Sequence, residues 1–198
     1  MKTLAILIAT TIDRRPMFDI LMEEFERQIQ ACKLEYCVKV YYLEDNKEIS
    51  VGLKRQKLLN MSDGHDYIVF FDSDDMPHEN YVKKLHEAIQ LSPDCVGFEI
   101  DMTTNGTKPQ KCCHSLKYPV WQEMKDGYDY VRNITHFNPV KRELAVQVGF
   151  KDMRFGEDKD YADRLTPLCK KEIFINEPLF HYRFNNQLLN HNKKYGIR

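Results

Sequence analysis

Two acidic clusters are the residues of this sequence best suited to chemistry. Asp72-Ser73-Asp74-Asp75 directly follows an apolar run at residues 67–71, and Glu157-Asp158-Lys159-Asp160 directly follows Gly156. Carboxylates packed this closely repel one another unless a cation or hydrogen-bond donors offset their charge. A hard divalent cation that keeps several waters and binds phosphate oxygens suits such a carboxylate pair. The first cluster is therefore a candidate metal site.

Each cluster also has a purely structural interpretation. Acidic residues ahead of a helix cap its N-terminus and favour the positive end of the helix dipole. Taken singly, either cluster fits this interpretation. The two together, 84 residues apart from Asp74 to Asp158 (158 − 74), favour a functional one.

Strands and helices alternate over the first hundred residues. The apolar, β-branched and aromatic composition of strands occurs at residues 4–9, 37–43, 67–71 and 95–100. Apolar residues recur at helical spacing in residues 16–30, 53–61 and 82–89. This alternation indicates an α/β domain with a mostly parallel sheet, whose ligands collect at the carboxyl ends of the strands. The cluster that begins at Asp72 lies at such an end.

The second half of the chain is less regular. Residues 105–129 carry scattered Lys and Pro and the single Trp121, and they predict loops with short strands. Two short helices are predicted at 141–148 and 157–165, and a final strand at 172–180. The tail, residues 185–198, is polar, Asn-rich and mildly basic. Because no internal repeat or low-complexity linker divides the chain, residues 1–198 predict a single domain.

Composition excludes several classes of protein. Hydrophobic residues are 42% of the 198, enough for a core, and 29 basic against 30 acidic side chains give a net charge of −1. That balance excludes a nucleic-acid binder that works by bulk positive charge. Gly and Pro, eight of each, are close to average usage, which argues against a disordered acidic tail protein.

The cysteines and the N-terminus bear on the compartment. The six cysteines include no CxxC pair, which argues against a zinc or thioredoxin-like site and predicts reduced, mostly buried thiols of a cytosolic protein. Residues 4–9 resemble a short signal peptide, but Asp13-Arg14-Arg15-Pro16 follows in place of a small-residue cleavage site. A buried strand is therefore the preferred interpretation. No stretch approaches the roughly 20 apolar residues that cross a bilayer.

Six stretches, in chain order, resemble the inverting nucleotide-sugar glycosyltransferases of the GT-A fold, in particular glycosyltransferase family 2. They are Leu7-Ile8-Ala9-Thr10, Leu43-Glu44-Asp45, Gly52-Leu53-Lys54-Arg55-Gln56, the DxD motif in Phe70-Phe71-Asp72-Ser73-Asp74-Asp75, residues 137–165, and Glu177-Pro178-Leu179-Phe180-His181-Tyr182-Arg183. Ala9, Glu44 and Gln56 stand where the family usually has Pro, Asp and Asn. The resemblance spans nearly the whole chain. It implies a Rossmann-like α/β domain with a nucleotide-binding half (1–103) and an acceptor-binding and catalytic half (104–184).

The resemblance also implies a reaction and roles for residues. A sugar would move from a nucleotide-diphosphate donor, with a UDP-sugar favoured, and Mn²⁺ or Mg²⁺ would assist. Asp74 would be the main metal ligand, and Asp72, Asp75 and His181 are further candidates. Asp158 would be the general base that takes the proton of the acceptor hydroxyl, and Glu157 would position the acceptor or the base. The residues implied in binding the nucleotide sugar are Thr10, Glu44, Asp45, Arg55, Asp72, Ser73 and Asp74.

Residues 105–131 would then meet the acceptor. Trp121, Tyr118 and Tyr128 either stack on a sugar or base there or belong to the core or a lid. The candidate acceptors are a glycan, a lipid-linked sugar, a protein or the hydroxymethylated bases of phage-type DNA. The implied location is the cytoplasm of a bacterial or phage-infected cell, with the protein either free or peripheral at the inner membrane.

Two other interpretations compete with this one. A phosphatase of the haloacid dehalogenase type also ends an apolar strand with DxD, but that class has Thr or Val two residues after the second Asp, where this chain has Met76. Its nucleophilic strand usually opens the domain, whereas here a strand, a helix and a second strand come first. The other alternative is a non-catalytic binding module of the GT-A type, against which the presence of both acidic clusters argues.

Overall fold

The strands of residues 1–184 form one mixed sheet with helices packed on it. The computed structural model describes residues 1–184, and the predicted polar tail, 185–198, lies outside the described residues. The strands are β1 (Leu4–Thr11), β2 (Val38–Asp45), β3 (Tyr67–Asp72), β4 (Met76–Pro77), β5 (Cys95–Thr104), β6 (Thr107–His114), β7 (Gln122–Lys125), β8 (Tyr128–Arg132), β9 (Val140–Lys141) and β10 (Glu172–Phe184). The α-helices are α1 (Arg15–Cys32), α2 (Val51–Met61), α3 (Tyr81–Ile89), α4 (Arg142–Val148) and α5 (Glu157–Leu165).

The central strands of the sheet are parallel. β1 lies between β2 and β3, and its register sets Thr10 beside Glu44 and Ala9 beside Asp72. β5 runs parallel to β10, and the short β9 bridges β3 to β5. The polar ends of β1, β2 and β3 therefore share one edge of the sheet, where ligands of such sheets bind. The predicted α/β class with a mostly parallel central sheet is confirmed.

Successive residues of β1 point to opposite faces of the sheet, and each face builds part of the core. Ile6 belongs to the hydrophobic cluster that contains Phe25 of α1, and Leu7 to the cluster that contains Leu58 of α2. Residues 4–8 are all fully buried. Burial on both faces explains why this run is continuously apolar, and it confirms the strand interpretation of residues 4–9.

The second half contains more strand than the sequence predicts. Within the 105–129 region expected to be loops with short strands, β6 is eight residues long and pairs antiparallel with β5. The turn between them consists of Asn105 and Gly106, whose φ angles of 52° and 71° suit the type I′ turn of a two-residue hairpin. β10 continues to Phe184, past the predicted end at 180. The five helices occur where they were expected, with small shifts of their ends.

The cysteines and the helices agree with two further expectations. All six thiols are free; Cys95, Cys112, Cys113 and Cys169 are buried, and Cys32 and Cys37 are half-buried. Among residues 1–184, no helix combines the length and the apolar character needed to cross a membrane.

Candidate active site

Three consecutive residues of α2 tie the edge of the sheet to the second half of the chain. Lys54 reaches back to β1 and β2, where its Nζ donates to the carbonyl of Thr10 at 2.7 Å and pairs with Asp45. Arg55 lies between the two acidic clusters, and the Gln56 side chain accepts from the backbone N–H of Phe150 at 2.7 Å. The helix begins cleanly because Ser50 caps it by accepting from the N–H of Leu53.

Gly52 allows α2 to lie directly against the loop that precedes α5. Its N–H donates to the carbonyl of Met153 at 3.1 Å. A Cβ on this residue would come within 2.1 Å of the carbonyl oxygen of Lys151, closer than any real contact. Only glycine therefore permits this approach, which brings α2 and the second acidic cluster together.

Arg55 joins the two acidic clusters through one buried guanidinium group. Its Nη1 lies 2.6 Å from Glu157 Oε1, and its Nη2 lies 2.9 Å from Asp72 Oδ1. His136 completes the group, with its Nε2 3.1 Å from Arg55 Nη2 and 3.8 Å from Asp72 Oδ2. Arg55, Glu157 and His136 are all buried. The clusters that the sequence separates by more than eighty residues thus form one network.

The charges of this network shift the pKa values of its carboxyl groups. Burial raises the pKa of Asp72, but Arg55 and His136 together lower it by more, so that it lies well below its ordinary value. Burial also raises the pKa of Glu157, and here the opposing effect of Arg55 is smaller. Asp72 is therefore the firmly ionised partner of the guanidinium.

The other two aspartates of the first cluster are less well compensated. Asp74 pairs with Arg14 at 3.0 Å, and Asp75 Oδ1 accepts from the backbone N–H of Arg183 at 2.7 Å. Burial and the nearby Asp72 and Asp74 raise the pKa of Asp75 well above its ordinary value. In residues 1–184 neither Asp75 Oδ2 nor the hydroxyl of Ser73, both buried, has a hydrogen-bond partner.

This donor set fits a divalent cation. Hard cations take carboxylate oxygens, and Mg²⁺ commonly uses one or two carboxylates together with substrate phosphates. Such a cation would give the unpartnered Oδ2 of Asp75 a ligand contact and would offset the negative charge of the neighbouring carboxylates. Among residues 1–184, no group of three or more His, Cys, Asp or Glu side chains is placed to hold a metal ion.

A basic cleft of about 560 Å³ opens at this edge of the sheet. Thr10, Arg55 and Asp72 line it. Its basic lining residues are Arg14, Lys47, Lys54, Arg55 and Arg154, against the acidic Asp13 and Asp72. Four of the five basic residues are already paired with carboxylates: Arg14 with Asp74, Lys47 with Asp13, Lys54 with Asp45, and Arg55 with Asp72 and Glu157. A nucleoside diphosphate bound here would compete with these carboxylates for the same cations. Glu44 and Asp45 lie beside the cleft, where Glu44 pairs with Arg15 at 3.2 Å and Asp45 with Lys54.

A second cavity, of about 210 Å³, contains Asp158. His136 lines it too, so this residue separates the cavity from the Arg55 and Asp72 side of the network. Trp121 also lines the cavity, and its Nε1 donates to the buried Asn133 at 2.9 Å. The candidate base and the candidate acceptor-stacking residue are thus neighbours in one cavity.

Two sequence-predicted site residues lie elsewhere. Tyr118 is 3% exposed, packs with Cys113 and Val131, and donates its hydroxyl to Asp126. Its ring is part of a small core, so it has little surface with which to stack on an acceptor. His181 contacts Thr103, 3.3 Å from its Nε2, and its ring stacks on that of His78.

β10 pairs His181 with Met76, which follows the first acidic cluster, but among the described residues the His181 ring makes no contact with Asp72, Asp74 or Asp75. Residues of a strand alternate between faces, and the next residue, Tyr182, is the one that lines the Asp158 cavity. Tyr128 donates its hydroxyl to Glu99 at 2.6 Å, which fixes it on the sheet.

Sequence reasoning missed His136, Lys54 and Arg14. His136 lies in a segment whose polar residues are almost entirely buried, namely Asn133, Thr135, His136 and Asn138. Four uncharged or weakly basic polar residues in six positions carry no periodic signal, so only the structure shows that they are buried. Lys54 falls within the Gly52–Gln56 stretch already singled out, and Arg14 within the turn after β1.

The arrangement is that of a GT-A fold. Residues 1–349 of S. aureus TarS with UDP-GlcNAc match at a TM-score of 0.64 and 14% identity, over 92% of this chain and 58% of that one. The catalytic domain of Drosophila beta1,4galactosyltransferase 7 with xylobiose matches at 0.56 and 16%, over 90% and 69%. The mannosyltransferase PcManGT of Pyrobaculum calidifontis with GDP-Man and Mn²⁺ matches at 0.56 and 10%, over 91% and 57%. The predicted GT-A fold is confirmed.

By sequence, no protein-family model matches the chain, and no curated protein matches it. The chain spans less than two thirds of the length of the TarS structure that it resembles. At these identities the similarity establishes the fold, and the chemistry has to be argued from the site.

Proposed function

We propose that the protein is an inverting glycosyltransferase that moves a sugar from a nucleotide-diphosphate sugar to an acceptor hydroxyl. The observation that carries this proposal is the position of the Arg55 network between two cavities. The basic cleft lies on the Asp72 side of this network, and the cavity that contains Asp158 lies on the His136 side. A transferase needs such a pair of adjacent sites, because donor and acceptor must meet at one reacting carbon.

The donor binds in the basic cleft. Its diphosphate suits the cleft's cationic side chains, and the nucleoside would contact Thr10, Glu44 and Asp45 at the ends of β1 and β2. Arg55, Asp72, Ser73 and Asp74 would hold the diphosphate and sugar end of the donor. UDP-sugars are the favoured donors, and the TarS structure that this fold resembles contains UDP-GlcNAc.

Asp158 acts as the general base in this proposal. Its carboxylate accepts the proton of the acceptor hydroxyl while that oxygen attacks the anomeric carbon from the face opposite the diphosphate. The bond from the anomeric carbon to the phosphate oxygen breaks, and its electron pair leaves with the nucleoside diphosphate. Glu157, held by Arg55, fixes the start of α5 and so the position of Asp158.

A divalent cation, Mn²⁺ or Mg²⁺, would neutralise the charge that develops on the leaving diphosphate. Asp74 and Asp72 are the proposed protein ligands, with Asp75 as an alternate. The placement of His181 against Thr103 and His78 gives no support to its role as a ligand. The proposed acceptor is a glycan or lipid-linked sugar, with modified DNA as the alternative, and the proposed location is the cytoplasm, free or peripheral to the inner membrane.

The GT-A fold and the ion pair between Asp72 and Arg55 argue against a haloacid dehalogenase type phosphatase. In that class the first Asp of the DxD is a nucleophile, whereas here the Asp72 carboxylate is engaged by a buried guanidinium. A non-catalytic module of the same fold would bind a nucleotide sugar without turning it over. Turnover therefore separates the proposal from this second alternative.

The test is calorimetric titration of UDP, GDP, CDP and dTDP with Mn²⁺ and with EDTA, followed by donor turnover. We expect one nucleotide to bind tightly only with metal, and its sugar conjugates to be hydrolysed slowly without an acceptor. Absence of binding by a folded protein would overturn the proposal and call for a phosphatase substrate screen. Metal-dependent binding without any turnover would identify a non-catalytic module.

A further inference from the structure

Arg132 is a half-buried cation that no carboxylate of residues 1–184 pairs with. Its Nη1 donates only to backbone carbonyls, at 3.0 Å to Val131 and 3.4 Å to Gln122. Its guanidinium lies over the ring of Trp121 at 4.6 Å and near the ring of Tyr130 at 5.1 Å. Burial lowers the pKa of Arg132, although an arginine stays charged at any physiological pH. The charge of Glu123 opposes this effect in part, but among residues 1–184 no carboxylate forms an ion pair with the Arg132 guanidinium.

This cation lines the same cavity as Asp158. Arg132, Trp121, Tyr130 and Asp158 all contribute to the cavity wall. A guanidinium pre-oriented by two aromatic rings loses little freedom when it binds an anion, and its fork matches phosphate or carboxylate oxygens. Trp121 is itself oriented by its hydrogen bond to Asn133, which is 1% exposed.

We propose that this cavity takes an anionic sugar unit, whose phosphate or carboxylate binds Arg132 while one of its hydroxyls faces Asp158. The role of that hydroxyl as the group that accepts the sugar rests on the proposed function. The anion site itself is inferred from the contacts of Arg132 alone. The acceptor would then be a glycan that carries phosphate or uronic acid groups. Asp158 would repel the same anion, so the negative group lies at the Arg132 end and the reacting hydroxyl at the other.

The size of the cavity favours a glycan over duplex DNA. Its volume of about 210 Å³ lies below the roughly 300–1,000 Å³ of pockets for drug-sized ligands, which suits one sugar unit. Duplex binding commonly engages about 6–10 phosphates. This cavity offers one unpaired arginine, and the chain has a net charge of −1.

Trp121 is the only tryptophan of the chain, so its fluorescence reports on this cavity directly. The experiment titrates glucuronate, glucose 6-phosphate and neutral glucose into the wild-type protein and follows Trp121 emission. We expect both anionic sugars to give a saturable change, with an affinity at least about tenfold higher than that of glucose, as a charged hydrogen bond predicts. A duplex oligonucleotide at equal phosphate concentration should give no comparable change.

Three variants make the result specific. Arg132→Gln should remove the preference for anionic sugars, and Arg132→Lys should retain part of it because the charge remains. Arg27→Gln, on the exposed face of α1, should behave as the wild type. Urea denaturation confirms that each variant is folded.

Equal affinity for glucose and glucuronate, an unchanged preference in Arg132→Gln, or no response to about 10 mM of either anionic sugar would overturn the proposal. A stronger response to the oligonucleotide than to the anionic sugars would indicate that Arg132 binds a nucleic-acid phosphate, and it would contradict the proposal of an anionic glycan. The nucleotide titration is scored separately. A fluorescence response without nucleotide binding would support the anion site and contradict the proposed glycosyltransferase function. Nucleotide binding without a fluorescence response would support that function and contradict the anion site.

Discussion

Asp72 and Glu157 bind the same guanidinium group. Arg55 lies 2.9 Å from the first and 2.6 Å from the second, and its side chain is 5% exposed. One residue of α2 therefore fixes the end of β3 relative to the start of α5. Because Asp158 is the next residue along α5, this ion-pair network sets the distance between the donor cleft and the proposed base.

Replacement of Arg55 by Met should leave two carboxylates without their partner. Removing one member of a buried ion pair typically costs about 3–5 kcal/mol of the free energy of unfolding. We expect a loss of that size in urea denaturation, together with loss of nucleotide binding. Arg27→Met, which breaks an exposed pair with Glu24, should leave the free energy of unfolding close to that of the wild type.

The cause of the stability loss in Arg55→Met can be tested with a second substitution in the same network. If the loss comes from unpaired charge, adding Glu157→Gln to Arg55→Met should recover part of the stability, because one stranded carboxylate is neutralised. A double variant no more stable than Arg55→Met would show that lost packing dominates.

Asp158→Asn should separate chemistry from binding. A general base contributes in the transition state, so the turnover number should fall about 10²- to 10⁴-fold while the nucleotide dissociation constant stays the same. Asp163→Asn on the same helix is the matched control, since Asp163 is exposed and pairs only with Lys159 among the described ion pairs. Normal turnover by Asp158→Asn would refute its assignment as the base.

The sequence predicted the strand that leads into the first acidic cluster and the helix that begins with the second, because the strand is an uninterrupted apolar run and each cluster is a concentration of charge. It also singled out Arg55 through a family resemblance. It could not predict that Arg55 binds both clusters, since that contact depends on how α2 packs against the loop before α5. His136 was missed for a similar reason: a buried polar residue in an irregular segment leaves no periodic signal.

For Tyr118 the sequence left two interpretations open, a stacking residue or a core or lid residue. The structure favours the core, because β6 and β8 place its ring in a small cluster with Val131. Because the sequence did not predict β6 at its full length, the burial of Tyr118 was not predictable either. Trp121, only three positions later, does line the cavity.

Asp74→Ala should weaken nucleotide binding only when a divalent metal is present. In Mn²⁺ we expect the affinity to fall at least about tenfold, the loss seen even when a metal ligand's supporting partner is removed. In EDTA the variant and the wild type should bind alike. Asp63→Ala, an exposed aspartate paired with Arg142, is the control. An equal loss in Mn²⁺ and in EDTA would contradict a role in metal binding.

The lowered pKa of Asp94 predicts how the free energy of unfolding depends on pH. Burial raises the pKa of this carboxyl, but Lys141 and the N–H groups of Lys170 and Lys171 lower it by more, to about 2 from its ordinary value of 3.8. A lowered folded-state pKa contributes stability above the ordinary value that is lost as pH falls through about 2. The contribution at neutral pH is about 2 kcal/mol for a shift of this size.

Asp94→Asn should therefore be less stable than the wild type by about 2 kcal/mol at neutral pH, and the difference should shrink between pH 4 and pH 2. Urea denaturation at a series of pH values measures it, with Asp63→Asn as an exposed control. A difference in stability that stays constant down to pH 2 would show that the variant is destabilised by lost packing or hydrogen bonds. The negative charge of Asp94 would then not contribute to stability.

Gly52→Ala tests whether the approach of α2 to the loop before α5 builds the site. The new Cβ would meet the backbone oxygen of Lys151, which cannot rotate away, so the helix or the loop must shift. Overpacking of this kind costs about 1–3 kcal/mol of the free energy of unfolding, and here it should also reduce nucleotide affinity by displacing Arg55. Both are measurable on one sample, by urea denaturation and by calorimetry.

Gly106→Ala is the matched control for this variant. Gly106 has a positive φ of 71° in the turn between β5 and β6, and a Cβ on this residue would meet no atom within 4 Å. Alanine there is strained by its backbone alone, so stability should fall while nucleotide affinity is kept. If both variants lose affinity in proportion to their stability, the contact at Gly52 supports the fold in general. A loss of affinity confined to Gly52→Ala would show that this contact positions Arg55 between the two acidic clusters.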